Sequence, residues 1–141
     1  MDKLLNKLLA DLVVEYHKLQ HFHWYVKGAD FFQVHAKLEE YYDEINEAVD
    51  EVAELMLQCK LKPASTMKEF LKLTDISEPT GDFTTSGPVF KAVLADFGYL
   101  LDSVKAVKAA AETDKNDLVA TKMDDYIAAF SKTIWMLEQA Q

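Results

Sequence analysis

Apolar residues recur every three to four positions along most of the chain, which is the period of an α-helix. The first periodic run extends from Met1 to about Val26, and Gly28 then provides a helix stop. A second run, from Phe31 to about Lys60, contains neither glycine nor proline and follows Asp30, a residue suited to an N-cap. The pattern predicts two long helices that form an antiparallel hairpin.

The second half of the chain predicts one short helix and two more long ones. Thr66 and Glu69 have the Thr-x-x-Glu spacing of a capping box, so a short helix should open there, followed by a loop from 74 to 88. The third long helix should begin near Pro88, since proline suits the first turn. It should end before a turn at 114–117, and the fourth long helix should then run to the C-terminus.

The lengths of the connections distinguish between bundle topologies. The second and third long helices are separated by about 30 residues, enough to cross a whole bundle, whereas the other two connections are tight. One long crossover between two hairpins is the ferritin-like topology. We therefore predict an all-α, ferritin-like four-helix bundle whose long crossover carries the short helix.

One edge of the second helix carries potential metal ligands. At about 100° per residue, with His35 at zero, the apolar stripe lies at negative angles, while Glu39, Asp50 and Glu54 lie at about 40°, 60° and 100°. His35 with Glu39, and Asp50 with Glu54, are i,i+4 pairs that can each converge on a cation. On the first helix His23 belongs to the buried face near the hairpin, so we expect it to meet His35.

Distance decides whether these groups can share a metal. Asp50 lies 15 residues after His35, which is about 22 Å along a straight helix, far beyond the reach of one ion. If the two pairs cooperate, a second subunit must run antiparallel to the first across a two-fold axis. Imidazole and carboxylate ligands without thiolate suit Fe(II), Mn(II) or Zn(II), and this chemistry alone does not select among them.

Length and composition narrow the class of protein. The chain has 141 residues, and half of them are apolar, which suits a single domain over residues 1–141. Its net charge of −9 argues against a face that neutralises nucleic-acid phosphates. A single cysteine and the absence of a leader pattern or an apolar run of about 20 residues lead us to expect a soluble, cytoplasmic protein.

Several short segments form a distinctive set, and four of them lie in the first two helices. These four are His23-Trp24-Tyr25-Val26-Lys27-Gly28, Phe31-Phe32 with His35, Asp43-Glu44, and Asp50-Glu51-Val52-Ala53-Glu54. They include the specific spacing His-x11-His-x14-Asp-x3-Glu. Together they resemble the Dps (DNA protection during starvation) mini-ferritins. Segments 66–69 and 135–137 are similar as well, so the likeness covers essentially the whole chain.

The resemblance implies a hollow homododecamer that binds Fe(II) at sites between subunits. These sites would oxidise Fe(II) with hydrogen peroxide or oxygen, and Fe(III) would be stored as a mineral, with Zn(II) or Mn(II) as alternative occupants. The family's ligands fall on His23, His35, Asp50 and Glu54. An accessory carboxylate falls on Glu39, where the family usually has aspartate, and Trp24 matches a catalytic, electron-donating tryptophan beside the site.

A second hypothesis is a nucleoid DNA-binding or surface-interaction protein of the same fold with a structural metal site. Family members that bind DNA often do so through a flexible basic tail before the first helix. Here Leu4, Leu5, Leu8 and Leu9 already follow a helical period. We expect direct DNA binding to be weak or absent.

Other candidate residues have simpler explanations. His17 and His21 form an i,i+4 pair that could hold Zn(II), but their position off the core stripe favours exposed or interface histidines. Cys59 is expected to be a small buried hydrophobe. Four acids near the start of the last helix could line an iron-entry pore, but helix-dipole effects explain them equally well: Asp114, Asp117, Asp124 and Asp125.

Overall fold

The computed structural model describes the whole chain, Met1–Gln141. Four long helices pack as two hairpins, and a short helix lies on the crossover between them, which confirms the predicted all-helical topology. None of the helices combines the length and the apolar character that crossing a membrane requires. The helices are α1 (Asp2–Tyr25), α2 (Phe31–Gln58), α3 (Met67–Leu73), α4 (Ser86–Thr113) and α5 (Asp117–Gln139).

A continuous hydrophobic core lies along the axis of the bundle, where the predicted apolar stripes converge. Its centre contains Leu12 of α1, Leu38 of α2, Phe97 of α4 and Met123 of α5, each at most 1% exposed. Burying one such side chain stabilises the fold by about 1.5–3 kcal/mol. The core therefore fixes the rotation of each helix, and with it the edge of α2 that carries the candidate ligands.

The turn between α1 and α2 depends on Gly28, whose φ of +133° is rarely adopted by residues with a side chain. Asp30 occupies the predicted N-cap position of α2, but its side chain makes no capping hydrogen bond. Its carboxylate instead accepts a hydrogen bond of 2.6 Å from the Ser86 hydroxyl. Asp30 therefore ties the hairpin to the first turn of α4.

Both ends of the crossover are held by hydrogen bonds. The predicted capping box is confirmed, because the Thr66 hydroxyl accepts from the Glu69 amide and Glu69 accepts from the Thr66 amide, both at 3.2 Å. At the other end, the Lys27 amide donates to the Thr84 carbonyl at 2.9 Å. The prediction that α4 begins near Pro88, with the proline in the first turn, is confirmed. Ser86 begins the helix, and Pro88 lies within the first turn. Backbone amides in the first turn have no carbonyl partner within the helix, so the lack of an amide proton in proline costs no hydrogen bond there.

A row of buried charged residues on α1 was not predicted. Asp11 and Glu15 are completely buried and Lys18 is 7% exposed. They lie where α1 faces the crossover and α4, and Lys18 forms an ion pair of 2.8 Å with Asp96 of α4. This ion pair joins α4 to α1, and a hydrogen bond from the Thr74 hydroxyl to Asp11 joins the crossover to α1. Neither carboxylate oxygen of Glu15 has a hydrogen-bond partner, which is unusual for a buried charged group.

Candidate metal centre

The hairpin brings His23 and His35 together, as predicted. Their rings stack at a centroid distance of 3.6 Å and an angle of 14°. The Nδ1 atom of each ring lies 2.7 Å from the backbone carbonyl oxygen of the other residue. This pair of reciprocal hydrogen bonds fixes both imidazoles relative to the two helices.

The reciprocal bonds also determine which ring nitrogen carries the proton. A carbonyl oxygen can only accept, so each Nδ1 must be the donor. In a neutral imidazole the other nitrogen, Nε2, then has a free lone pair, which is the form that binds a metal. His23 is 6% exposed and His35 is half-buried. The hairpin therefore presents two oriented nitrogen ligands near the surface.

Glu39 adds a carboxylate to this pair. Its Oε1 atom lies 3.8 Å from Nε2 of His23, and its side chain is 55% exposed. The Tyr42 hydroxyl donates a hydrogen bond of 3.3 Å to the same oxygen. Glu39 thus lies beside His23 and on the edge of α2 that carries His35.

Aromatic side chains surround the imidazoles, and the sequence analysis did not identify them. Phe31 stacks on His35 at 4.8 Å, and Tyr42 meets His23 edge to face at 5.3 Å. Tyr16 in turn meets Tyr42 edge to face at 5.7 Å. Helical spacing could have predicted one of these contacts on α2, because a residue seven positions after His35 lies within about 20° of it around the helix. Tyr42 occupies that position.

Asp50 and Glu54 do not reach the imidazole cluster within one chain. Both are exposed on α2, and neither side chain makes a hydrogen bond or an ion pair with the rest of the chain. Within the single chain, no three His, Cys, Asp or Glu side chains are grouped so that they could hold a metal ion. One chain therefore presents the two sets of candidate ligands at separate places on α2.

Trp24 lies on the outside of α1 and is 53% exposed. Its ring meets His17 edge to face at 5.9 Å, rather than either imidazole of the cluster. His21 stacks on Tyr25 at 4.4 Å, and burial, together with the nearby His17, lowers the pKa of His21. His17 is exposed and His21 is half-buried.

The remaining candidates near α5 are surface residues. All four acids proposed for a pore are exposed, and Asp124 forms an ion pair of 2.7 Å with Lys108.

Cys59 is half-buried rather than fully buried, and Asn116 Nδ2 lies 3.5 Å from its sulfur. The cysteine is less buried than predicted because it lies at the C-cap of α2, beyond the central core.

Comparison with known proteins places this geometry in a family. The sequence model of the ferritin-like domain matches residues 2–140. The DNA protection during starvation protein of Helicobacter pylori is 38% identical over 136 residues, which is 96% of this chain and 94% of that protein.

Solved structures agree with the sequence comparison. Antigen TpF1 from Treponema pallidum superposes with a TM-score of 0.96 at 34% identity, covering 99% of this chain and 89% of that one. The Dps protein from Vibrio cholerae O1, described as a member of a broad superfamily of ferritin-like diiron-carboxylate proteins, has a TM-score of 0.94 at 30% identity, with 98% and 86% covered. The chain belongs to the Dps family of ferritin-like proteins.

Proposed function

We propose that this protein is an iron-storage and detoxification ferritin with ferroxidase activity. Fe(II) is its substrate and binds between two subunits, hydrogen peroxide or oxygen accepts the electrons, and Fe(III) is stored inside a hollow homododecamer. The observation that supports this most strongly is the pair of Nδ1–carbonyl hydrogen bonds between His23 and His35. They leave the Nε2 lone pairs of both rings free to bind a metal, and that of His23 lies 3.8 Å from the Glu39 carboxylate.

The second half of each site comes from a neighbouring subunit in this proposal. Asp50 and Glu54 are exposed, unpaired within the chain and one helical turn apart, so they can turn toward a cation held by another copy. A two-fold axis that pairs antiparallel copies of α2 places them opposite His35 and makes two equivalent sites. Nitrogen and oxygen ligands without thiolate suit Fe(II), with Zn(II) and Mn(II) as competitors.

The chemistry at the site is electron transfer with balanced protons. Two Fe(II) ions give one electron each to hydrogen peroxide, whose O–O bond breaks, and two protons complete two water molecules. Trp24 is proposed as an additional electron donor. Its exposed ring lies away from the imidazoles of its own chain, so this role requires the neighbouring subunit to bring the ring near a site.

Oxidation of Fe(II) by the assembled apoprotein tests the activity. Fe(II) is added under nitrogen, peroxide follows, and ferric absorbance is recorded against buffer alone. His23→Ala and Asp50→Ala should each slow the reaction at least about tenfold, since losing even a residue that only supports a metal ligand costs that much. Glu47→Gln, an exposed carboxylate elsewhere on α2, is the matched control and should react like the wild type. A wild-type rate no faster than buffer would refute the proposal.

Co-assembly of the two inactive variants tests whether the site is shared. In a dimer of one His23→Ala chain and one Asp50→Ala chain, one site contains both substitutions and the other contains neither. Random mixing should therefore restore about one quarter of the wild-type sites. Absence of any restored activity in the mixed assembly would show that each site belongs to a single chain.

The relatives' name refers to DNA protection, and removal of Fe(II) and peroxide protects DNA without contact. Each chain carries a net charge of −9, which opposes binding to phosphates. We propose that duplex DNA is bound weakly or not at all in physiological salt. A gel shift that persists there and weakens steeply as salt rises would instead favour the DNA-binding alternative.

A further inference from the structure

The hydroxyl of Tyr42 contacts a carboxylate of the candidate site without being a metal ligand in the proposed function. It donates to Glu39 Oε1 at 3.3 Å, and the same oxygen lies 3.8 Å from Nε2 of His23. Glu39 Oε1 therefore lies near both the phenol and the imidazole nitrogen that is free to bind a cation.

Glu39 needs such a contact more than the histidines do. Its side chain is 55% exposed, so packing against the core restricts its rotamer little. A glutamate that is free to rotate loses side-chain entropy when it binds a cation, and this loss weakens binding. The two imidazoles, in contrast, are already fixed by their reciprocal bonds to the backbone.

The Tyr42 ring is itself held in place by two edge-to-face contacts. The ring centroid of Tyr42 lies 5.3 Å from that of His23 and 5.7 Å from that of Tyr16. A phenol remains protonated at neutral pH and can donate to a carboxylate. Because both contacts hold the ring in place, the Tyr42 hydroxyl is a fixed hydrogen-bond donor for the mobile Glu39 carboxylate.

We propose that Tyr42 is a positioning residue that holds the Glu39 carboxylate beside His23 and thereby raises the affinity of the site for Fe(II). This inference rests on the proposed function, because it assigns Glu39 to the same cation site. Tyr42 acts only through Glu39. Its contribution should therefore disappear when the glutamate is removed.

Calorimetric titration of the assembled apoprotein with Fe(II) under nitrogen tests the inference. Tyr42→Phe should weaken binding by up to about tenfold, at the low end of the range for residues that support metal ligands, because Glu39 is largely exposed. Tyr16→Phe removes a hydroxyl from the adjacent ring and is the matched control, with unchanged affinity expected. Thermal unfolding of both variants reports whether the fold is intact.

A double-mutant cycle separates positioning from general support of the fold. In a Glu39→Ala background, Tyr42→Phe should cause no further loss of Fe(II) affinity. An equal loss in both backgrounds, or no loss in the wild-type background, would overturn the inference while the proposed function stands. Wild-type protein that binds no Fe(II) at all would overturn both.

Discussion

Replacing Asp11 by alanine should destabilise the protein far more than replacing an exposed acid such as Asp75. The Asp11 carboxylate is completely buried. One oxygen accepts from the Thr74 hydroxyl at 2.7 Å and from the Asp75 amide at 2.9 Å, and the other accepts from the Tyr99 hydroxyl at 2.8 Å and from Lys7 at 3.2 Å. This single side chain therefore joins α1, the crossover and α4.

The size of the effect follows from what the substitution leaves behind. Alanine would strand several buried donors together with a partly buried ammonium, and breaking such a network costs about 3–5 kcal/mol. For a chain of this size each kcal/mol corresponds to roughly 3–4 °C in Tm, so a fall of about 10 °C or more is expected. Asp11→Asn retains an acceptor for Thr74 and Asp75 and should lose less.

Thermal unfolding followed by circular dichroism at matched protein concentration measures the loss. Asp75→Ala is the control, because its carboxylate also pairs with Lys7, at 2.8 Å, but is 68% exposed. Such exposed pairs contribute about 0–1 kcal/mol. Amide exchange at Asp75 should accelerate in the Asp11→Ala variant. Equal, small changes in Tm for both substitutions would refute the claim that the buried carboxylate anchors the crossover.

Two further substitutions test the buried charges and the helix ends. Burial, with the nearby Asp96 carboxylate adding to it, raises the pKa of Glu15 well above its usual value. Because the folded protein holds the Glu15 proton more tightly than the unfolded chain does, the raised pKa favours the folded state at low pH. This stabilisation is lost as the pH rises from about 4.3, the pKa of glutamate in the unfolded chain, through the pKa in the folded state. Glutamine stays neutral at every pH, so the Tm of Glu15→Gln should fall less than the Tm of the wild type as the pH is raised. Equal falls in Tm for the two proteins would contradict this. Lys60 follows α2 with φ of +62°, so Lys60→Gly should stabilise by about 0.5–1 kcal/mol. An unchanged or lower Tm for that variant would show that the lysine conformation is not strained.

The sequence was sufficient where the structure depends on local periodicity. The positions of the long helices, the capping box at Thr66 and the contact between His23 and His35 all follow from helical spacing and a short hairpin. The start of α4 could be predicted only to within about two residues of Ser86, because no side-chain hydrogen bond from its N-cap, Thr85, marks the boundary.

Other parts of the site were visible in the sequence only in outline. Helical spacing placed Glu39 on the same edge as His35, but it could not show that the Tyr42 hydroxyl contacts the carboxylate. Such contacts depend on rotamers that the packing of neighbouring rings selects. The same limit applies to the ring nitrogens, whose roles follow from backbone carbonyls of the opposite helix.

By itself, the sequence determined the helices, their order and the edge of α2 that carries potential ligands, because these depend on residues three or four positions apart. Only the tertiary structure decided that Asp11, Glu15 and Lys18 are buried. Residues far along the chain, from the crossover and from α4, cover that face of α1 and supply the partners of Asp11 and Lys18. Charged residues are normally solvated, so no local pattern could have distinguished these three from the exposed charges on the same helix.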